Sequence, residues 1–276
     1  MADNTNNNNI NNNNNKDEDD EFKEIKEEWI QIQNSLKQQL ILTDNVTWSL
    51  NELRYIGGVD ISFVKDNNED ACACLIVLEY PSMNIVYKDI GFIKLTLPYI
   101  PGFLAFREVT FLMEMINRLK SDPVNSQYLP QVILVDGNGI LHPRSFGLAC
   151  HLGVLADIPT IGVGKTPFQQ DGLNIKDIRD QFKKNCQNAG DFIHLVGTSG
   201  TIWAAALKSH KDSTNPIYVS QGHKLSLETT LNIVKLLTLY RVPEPIRQAD
   251  LQSRDYIRLN FKPTTPPNTT TTTANK

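Results

Sequence analysis

Three carboxylates stand where their surroundings make a carboxylate costly. Asp60 interrupts the strand-like run "YIGGVDISFV" (55–64), and Asp136 closes the apolar run "PQVILVDG" (130–137). Glu108 sits in the first turn of the amphipathic stretch "FREVTFLMEMINRLK" (106–120). Each has an ordinary explanation. Asp60 can face outward from an amphipathic strand, and Asp-Gly is a common turn. An acid in a first helical turn is favoured by the macrodipole. Together they suggest more. A lone buried carboxylate is expensive, and three at one point, with no matching cluster of buried bases, call for a cation. Oxygen-only ligands suit Mg²⁺ or Mn²⁺ rather than zinc. The usual chemistry of such a site is phosphodiester hydrolysis, with one metal activating water and a second stabilising the leaving oxygen.

Whether the three meet depends on the elements that carry them. Residues 20–41 read as a helix, with Phe22, Ile25, Trp29, Leu36 and Leu40 at roughly helical spacing. Three strand-like segments follow at 55–64, 72–80 and 84–96. The short polar breaks between them suit hairpins, hence antiparallel pairing. The pattern then changes to alternating helices and strands. Residues 106–120 form a helix, 130–137 a strand buried on both faces, 145–157 a helix and 159–164 a second buried strand. Strands joined through helices imply parallel pairing. A helix near 175–187, strands in "HLVGTSGTIWAAALK" and "PIYVSQGH", and a helix at 226–240 complete the reading. If the first strand lies at the sheet centre beside the first parallel strand, Asp60 and Asp136 become neighbours. The intervening helix can then bring Glu108 over the same spot. Asp136 would lie at the carboxyl end of a buried strand, where open α/β sheets bind ligands.

Composition narrows the class. The chain has 276 residues, 40% of them hydrophobic, enough for one large domain. Residues 1–21 are Asn-rich then acidic, and 263–276 are Thr, Pro and Asn. Neither tract can bury enough apolar surface to offset the entropy of ordering it, so the expected folded domain is 22–262. The net charge of −4 conceals an uneven split: residues 1–28 carry −6 and the rest +2. That balance is compatible with a nucleic-acid partner without arguing for one. Four cysteines form no CxxC pair and read as buried thiols. No apolar run is long enough to span a bilayer, and no signal-like segment opens the chain. The expectation is an intracellular, soluble protein. Two tempting motifs fail. "GVGKT" (162–166) lacks the P-loop's first glycine, since Pro159 occupies that position, and "GNGILH" has His142 where a dinucleotide fingerprint needs its third glycine.

Longer motifs carry a family resemblance. "GGVDISF", "PYIPGFLAFRE" (98–108), "VDGNGILHPRSFGLACHLGV" (135–154), "PTIGVGK" (159–165) and "SQGHKLSL…PEPIRQAD" (220–250) are similar, in order and spacing, to the endonuclease V family over residues 23–260. The resemblance implies an RNase H-like α/β fold with a mixed central sheet, three antiparallel strands followed by parallel ones, flanked by helices. It implies a metal-dependent endonuclease that cleaves single-stranded RNA at the second phosphodiester 3′ to inosine, leaving a 3′-hydroxyl and a 5′-phosphate. The cofactor would be Mg²⁺, with Mn²⁺ able to substitute. The alternative is a DNA repair enzyme using the same site on deoxyinosine.

Residue by residue, Asp60, Glu108 and Asp136 match the family's metal-binding carboxylates, and Lys165 joins them as a catalytic group that holds the scissile phosphate or orients water. Tyr99 matches the wedge that fills the space left by the lesion base; it also reads as a core tyrosine. Gly102, Leu104, Gly137 and Gly139 match the walls of the base pocket, where glycine lets backbone approach a flipped base. His142 and Arg144 match polar positions suited to the substrate backbone, and His142 reads equally as a buried structural histidine. His223 matches less closely and also reads as a strand-end polar residue. Bacterial members often end "PEPxRxAH", whereas this chain has Asp250, as eukaryotic members commonly do. That adds a fourth candidate metal ligand and implies a preference for inosine in RNA over DNA. The implied protein is a monomer without a membrane partner, located in the cytoplasm or in the nucleus, nucleolus included.

Overall fold

A computed structural model describes residues 8–262, with side-chain surroundings from residue 23 onward. Of the tracts 1–21 and 263–276, expected to be unfolded, residues 1–7 and 263–276 lie outside the described residues, whereas 8–21 belong to a helix. Helix α1 spans Asn8–Lys37, so it starts well ahead of the apolar stripe that marks it in the sequence. No glycine or proline interrupts those 30 residues.

Three antiparallel strands follow: β1 (Tyr55–Phe63), β2 (Asp70–Glu79) and β3 (Asn84–Lys94). Then come α2 (Leu104–Ser121), β4 (Val132–Asp136), α3 (Leu148–Ala156) and β5 (Thr160–Gly164). The chain continues with α4 (Ile175–Asn185), β6 (Phe192–Val196), β7 (Ile202–Leu207) and β8 (Ile217–His223). Helices α5 (Leu227–Leu236) and α6 (Glu244–Asn260) end the domain. One eight-stranded sheet results, in the order β3-β2-β1-β4-β5-β8-β7-β6. This is the expected mixed α/β sheet, RNase H-like in its first five strands. The parallel part is shorter than the sequence suggests. Only β1–β4 and β4–β5 pair parallel, while β8, β7 and β6 add antiparallel. The reason is local. "HLVGTSGTIWAAALK" folds back on itself at Gly197–Gly200, so it gives a hairpin rather than a crossover.

Strand alternation builds the core. Ile133 and Val135 of β4 join Val59 and the apolar stripe of α2, while Val132 and Leu134 join Ile56, Ile161 and helices α5 and α6. A strand sandwiched in this way must be apolar at every position until its end, as "VILV" is. Helix α6, absent from the sequence reading, lies directly on β1. A Cβ at Gly58 would come within 2.2 Å of the Pro245 backbone, so only glycine admits the helix at that distance. Among the described residues no helix is long and apolar enough to cross a membrane.

Candidate active site

The register of β1 on β4 brings the first two carboxylates together. Val59 faces Val135 across the parallel pair, so Asp60 and Asp136 are next in line on the same face of the sheet. That face is covered by α6, which carries Asp250. Glu108 comes from α2 on the other face. Asp60, Asp136, Asp250, Lys165 and Arg254 line one pocket of about 360 Å³.

The carboxylates divide into an inner and an outer pair. Asp60 and Glu108 are buried. Burial raises the Asp60 carboxyl to about 6, helped by the charges of Asp136 and Asp250 and opposed by hydrogen bonds from Ser62 and Ser253. Ser62 Oγ donates to Asp60 Oδ2 at 3.0 Å, and Ser253 Oγ lies 3.1 Å from the same oxygen. Burial lifts Glu108 further, to about 8. The charges of Asp60 and Asp136 add to this, and neighbouring Arg107 offsets part of it. No hydrogen bond to the Glu108 carboxyl forms among the described residues. The outer pair is more accessible and holds cations. Lys165 Nζ sits 2.6 Å from Asp136 Oδ2, and Arg254 Nη2 sits 2.7 Å from Asp250 Oδ1.

The expected convergence of three carboxylates on one point is therefore looser than a ligand cage. Among the described residues no three His, Cys, Asp or Glu side chains are grouped closely enough to hold a metal ion. The physical reason is competition. Lys165 draws on Asp136, Arg254 on Asp250, and two serine hydroxyls on Asp60. The donor chemistry still fits a hard divalent cation: every candidate is an oxygen ligand, and the inner pair resists negative charge that Arg107 offsets only in part. Both competing cations, with side chains 47% and 68% exposed, can turn away into solvent.

A second pocket, of about 330 Å³, adjoins the first. Gly137 and Thr166 line it, while their chain neighbours Asp136 and Lys165 line the carboxylate pocket. Tyr99, Gly102, Leu104 and His142 line it too. Tyr99 is 62% exposed, so it is not a core residue. Gly139 is not part of the wall. It packs on β8, where an added Cβ would meet the Gln221 carbonyl oxygen at 1.9 Å. Its smallness serves sheet packing.

His142 takes the second of its two readings, a buried structural histidine, and Arg144 is bound to protein groups. His142 Nδ1 accepts the Arg144 backbone N–H at 3.2 Å, which leaves Nε2–H to donate to the Gly102 carbonyl at 2.9 Å. Burial, with the charge of Arg144, pushes the His142 imidazole down to about 4, so it is neutral at pH 7. Arg144 donates to the same carbonyl and to Gln33 Oε1, and its guanidinium lies 4.0 Å over the Phe103 ring. Both side chains thus fasten the 98–103 loop. Helix α1 completes the brace. Lys37 donates to the Arg144 carbonyl, and Trp29 stacks on Phe106 at 4.7 Å. His223 lies far from this region, at the opposite end of β5 from Lys165. Its Nδ1 accepts from Ile41 N–H.

Sequence reasoning missed Gln33, Asn138 and Phe168 in the base-sized pocket, and Ser62, Ser253 and Arg254 beside the carboxylates. Ser62 was legible as the i+2 neighbour of Asp60. Ser253 and Arg254 follow Asp250 at helical spacing, visible once α6 is recognised. Asn138 Oδ1 is buried beside Gly164 with no hydrogen-bond partner among the described residues.

The endonuclease V family model matches residues 34–251. Endonuclease V of Mus musculus is 47% identical over 234 residues, covering 83% of this chain and 69% of its own. The crystal structure of the catalytic domain of human endonuclease V superposes with a TM-score of 0.83 at 43% identity, over 86% of this chain and 97% of that one. Endonuclease V of Ciona intestinalis, solved in complex with a 23mer DNA containing an inosine followed by a ribo-adenosine, gives a TM-score of 0.80 at 38% identity. It covers 86% of this chain and 98% of that one.

Proposed function

The chain belongs to the endonuclease V family and is an endonuclease, and on that premise we propose that it cleaves single-stranded RNA at the second phosphodiester 3′ to inosine. The observation that carries this reading is the shared wall of the two pockets. Asp136–Gly137 and Lys165–Thr166 each place one residue in the carboxylate pocket and the next in the base-sized pocket. A base bound in one therefore delivers its own strand to the other.

The base pocket suits hypoxanthine. Gly102, Gly137 and Gly147 keep side chains out of its wall, and Asn138, which lines it, carries an Oδ1 acceptor without a donor among the described residues. Hypoxanthine offers N1–H as donor and O6 as acceptor. Adenine reverses the pattern and would leave such groups unpaired, at about 1–3 kcal/mol each. Tyr99 stands at the rim, where its ring can stack on the bases left behind by the flipped nucleoside.

Asp60, Glu108 and Asp136, with Asp250 beside them, would hold Mg²⁺, for which Mn²⁺ can substitute. The bound ion supplies Lewis acidity toward water and phosphate. Lys165, paired with Asp136, can leave it to hold the scissile phosphate or orient the attacking water. Water adds to phosphorus and the P–O3′ bond breaks. The leaving oxygen takes a proton to become a 3′-hydroxyl, and the 5′-phosphate stays on the downstream product. RNA is favoured over DNA by Asp250, which groups the chain with eukaryotic members, and the DNA bound to the Ciona relative carries a ribo-adenosine after its inosine. The deciding experiment compares matched single-stranded RNA and DNA, each with one inosine or one adenosine, with and without Mg²⁺. Faster cutting of inosine RNA, abolished by chelation, is expected. Equal or faster cutting of inosine DNA refutes the RNA reading, and no preference for inosine refutes the pocket assignment.

A further inference from the structure

A third concavity, a groove of about 770 Å³, lies beside both pockets. One wall is the turn between β1 and β2, with Phe63, Asn68 and Glu69, and the other is the segment Leu95–Tyr99 ahead of α2. Its two ends are shared with the pockets already described. Tyr99 also lines the base pocket, and Phe63 also lines the carboxylate pocket. Three apolar side chains, Phe63, Leu97 and Tyr99, are exposed along it, beside the exposed polar residues Asn68, Glu69 and Thr96. Arg107 closes it from below. Its guanidinium lies 5.3 Å from the Phe63 ring centre and bonds the Asn68 carbonyl. The residue is buried, and its Nε has no hydrogen-bond partner among the described residues. An aromatic ring held by a buried guanidinium, facing solvent, is poor folding economy and a good stacking surface.

We infer that this groove receives the base of the nucleotide immediately 3′ of the inosine, with Phe63 as its stacking platform. The inference rests on the cleavage position proposed above. A cut at the second phosphodiester leaves one nucleoside between the flipped base and the scissile phosphate. The groove likewise lies between the base pocket and the carboxylate pocket, with an aromatic side chain at each junction. Every base has a π-face, so such a platform would hold that nucleotide without choosing its sequence.

The test is single-turnover cleavage by the full chain and by Phe63→Ala. The substrates are inosine oligonucleotides with an ordinary nucleotide or an abasic spacer directly 3′ of the inosine, the same spacer placed 5′ of it, and an adenosine control. For the unsubstituted chain the 3′ spacer should slow cleavage about tenfold, the scale of one lost base–aromatic stack. Phe63→Ala should slow the ordinary substrate by a similar factor and lose nothing further on the 3′-spacer substrate. Phe63 is exposed, so an unchanged melting temperature is expected. Losses that multiply would overturn the inference, as would a spacer effect confined to the 5′ side. Intact preference for inosine with no spacer effect rejects the groove alone. Absence of that preference rejects the underlying activity and the groove with it.

Discussion

Replacing Glu108 with glutamine should stabilise the metal-free protein at alkaline pH and leave it unchanged in acid. Glu108 is buried, and its carboxyl is held at about 8 rather than near 4.5, first by burial and then by Asp60 and Asp136. The charged form is thus the one the fold resists. The folded chain keeps this proton more tightly than the unfolded chain, so stability falls as pH climbs from about 4.5 to about 8 and stays lost above that. Each decade is worth about 1.4 kcal/mol, which puts the upper bound near 4–5 kcal/mol at pH 8. Asp60 and Glu108 raise one another and titrate as a coupled pair. Assigning roughly half to Glu108 leaves about 2 kcal/mol. Glutamine is the neutral isostere and avoids that cost at every pH.

For a domain of this size about 2 kcal/mol corresponds to roughly 4–8 °C in Tm. The assay is thermal unfolding of both proteins in chelator, from pH 5 to pH 9. The curves should coincide at pH 5 and separate steadily to pH 8, with Glu108→Gln the more stable. Added Mg²⁺ should raise the Tm of the parent more than that of the variant, since a cation relieves the same repulsion. A gap that does not vary with pH, or a variant less stable throughout, would refute the account of Glu108 as an uncompensated buried acid.

Other substitutions test the remaining roles. Asp60→Ala or Asp136→Ala should reduce single-turnover cleavage at least a thousandfold, while binding measured in Ca²⁺ stays within a few-fold; retention of a tenth of the parent rate would remove that residue from the metal set. Tyr99→Ala should weaken binding of inosine strands by about 1–3 kcal/mol, and unchanged affinity in a fluorescence titration would reject the wedge. Arg144→Met should lower Tm without nucleic acid present, by about 1–2 kcal/mol of stability, and alter Trp29 emission through the Phe103–Phe106 contacts. Lost affinity with unaltered stability would return Arg144 to a phosphate-binding role.

The sequence exposes some of these features and conceals others for physical reasons. "VILV" is apolar at both parities, which only a strand covered on both faces requires, so β4 and the position of Asp136 at its end were legible. The burial of Asp60 was not, because a strand with one solvated face would place an aspartate equally well. Only the pairing of Val59 with Val135 resolves it. Helix α6 was hidden by composition. It carries six charged residues in seventeen and buries mainly Pro245, Ile246, Ala249 and Ser253, a narrow stripe of mostly small side chains. The helix is anchored by proximity to Gly58 rather than by apolar bulk. The surroundings of Gly139 and Arg144 were hidden for a related reason. A small residue or a guanidinium has the same character whether it meets substrate or protein. The partner that decides is distant in sequence: Gln221 for Gly139 and Gln33 for Arg144.

The division of the carboxylates gives this site its internal logic. The outer pair, Asp136 and Asp250, is partly open and already balanced by Lys165 and Arg254. The inner pair, Asp60 and Glu108, is buried and unbalanced, and both carboxyls are raised. Electrostatic relief on binding a cation would therefore be greatest at the inner pair, where no base is ion-paired to either carboxyl among the described residues and Arg107 offsets burial only in part. At the outer pair a cation must displace Lys165 or Arg254 to gain a ligand. Both displaced side chains remain at the mouth of the pocket with their charge free, at the place where a phosphodiester must enter. On the proposed activity, cation binding and phosphate binding would thus be coupled through the same two ion pairs. Removing Arg254 alone should ease the first while weakening the second, whereas a purely structural role would move both in the same direction.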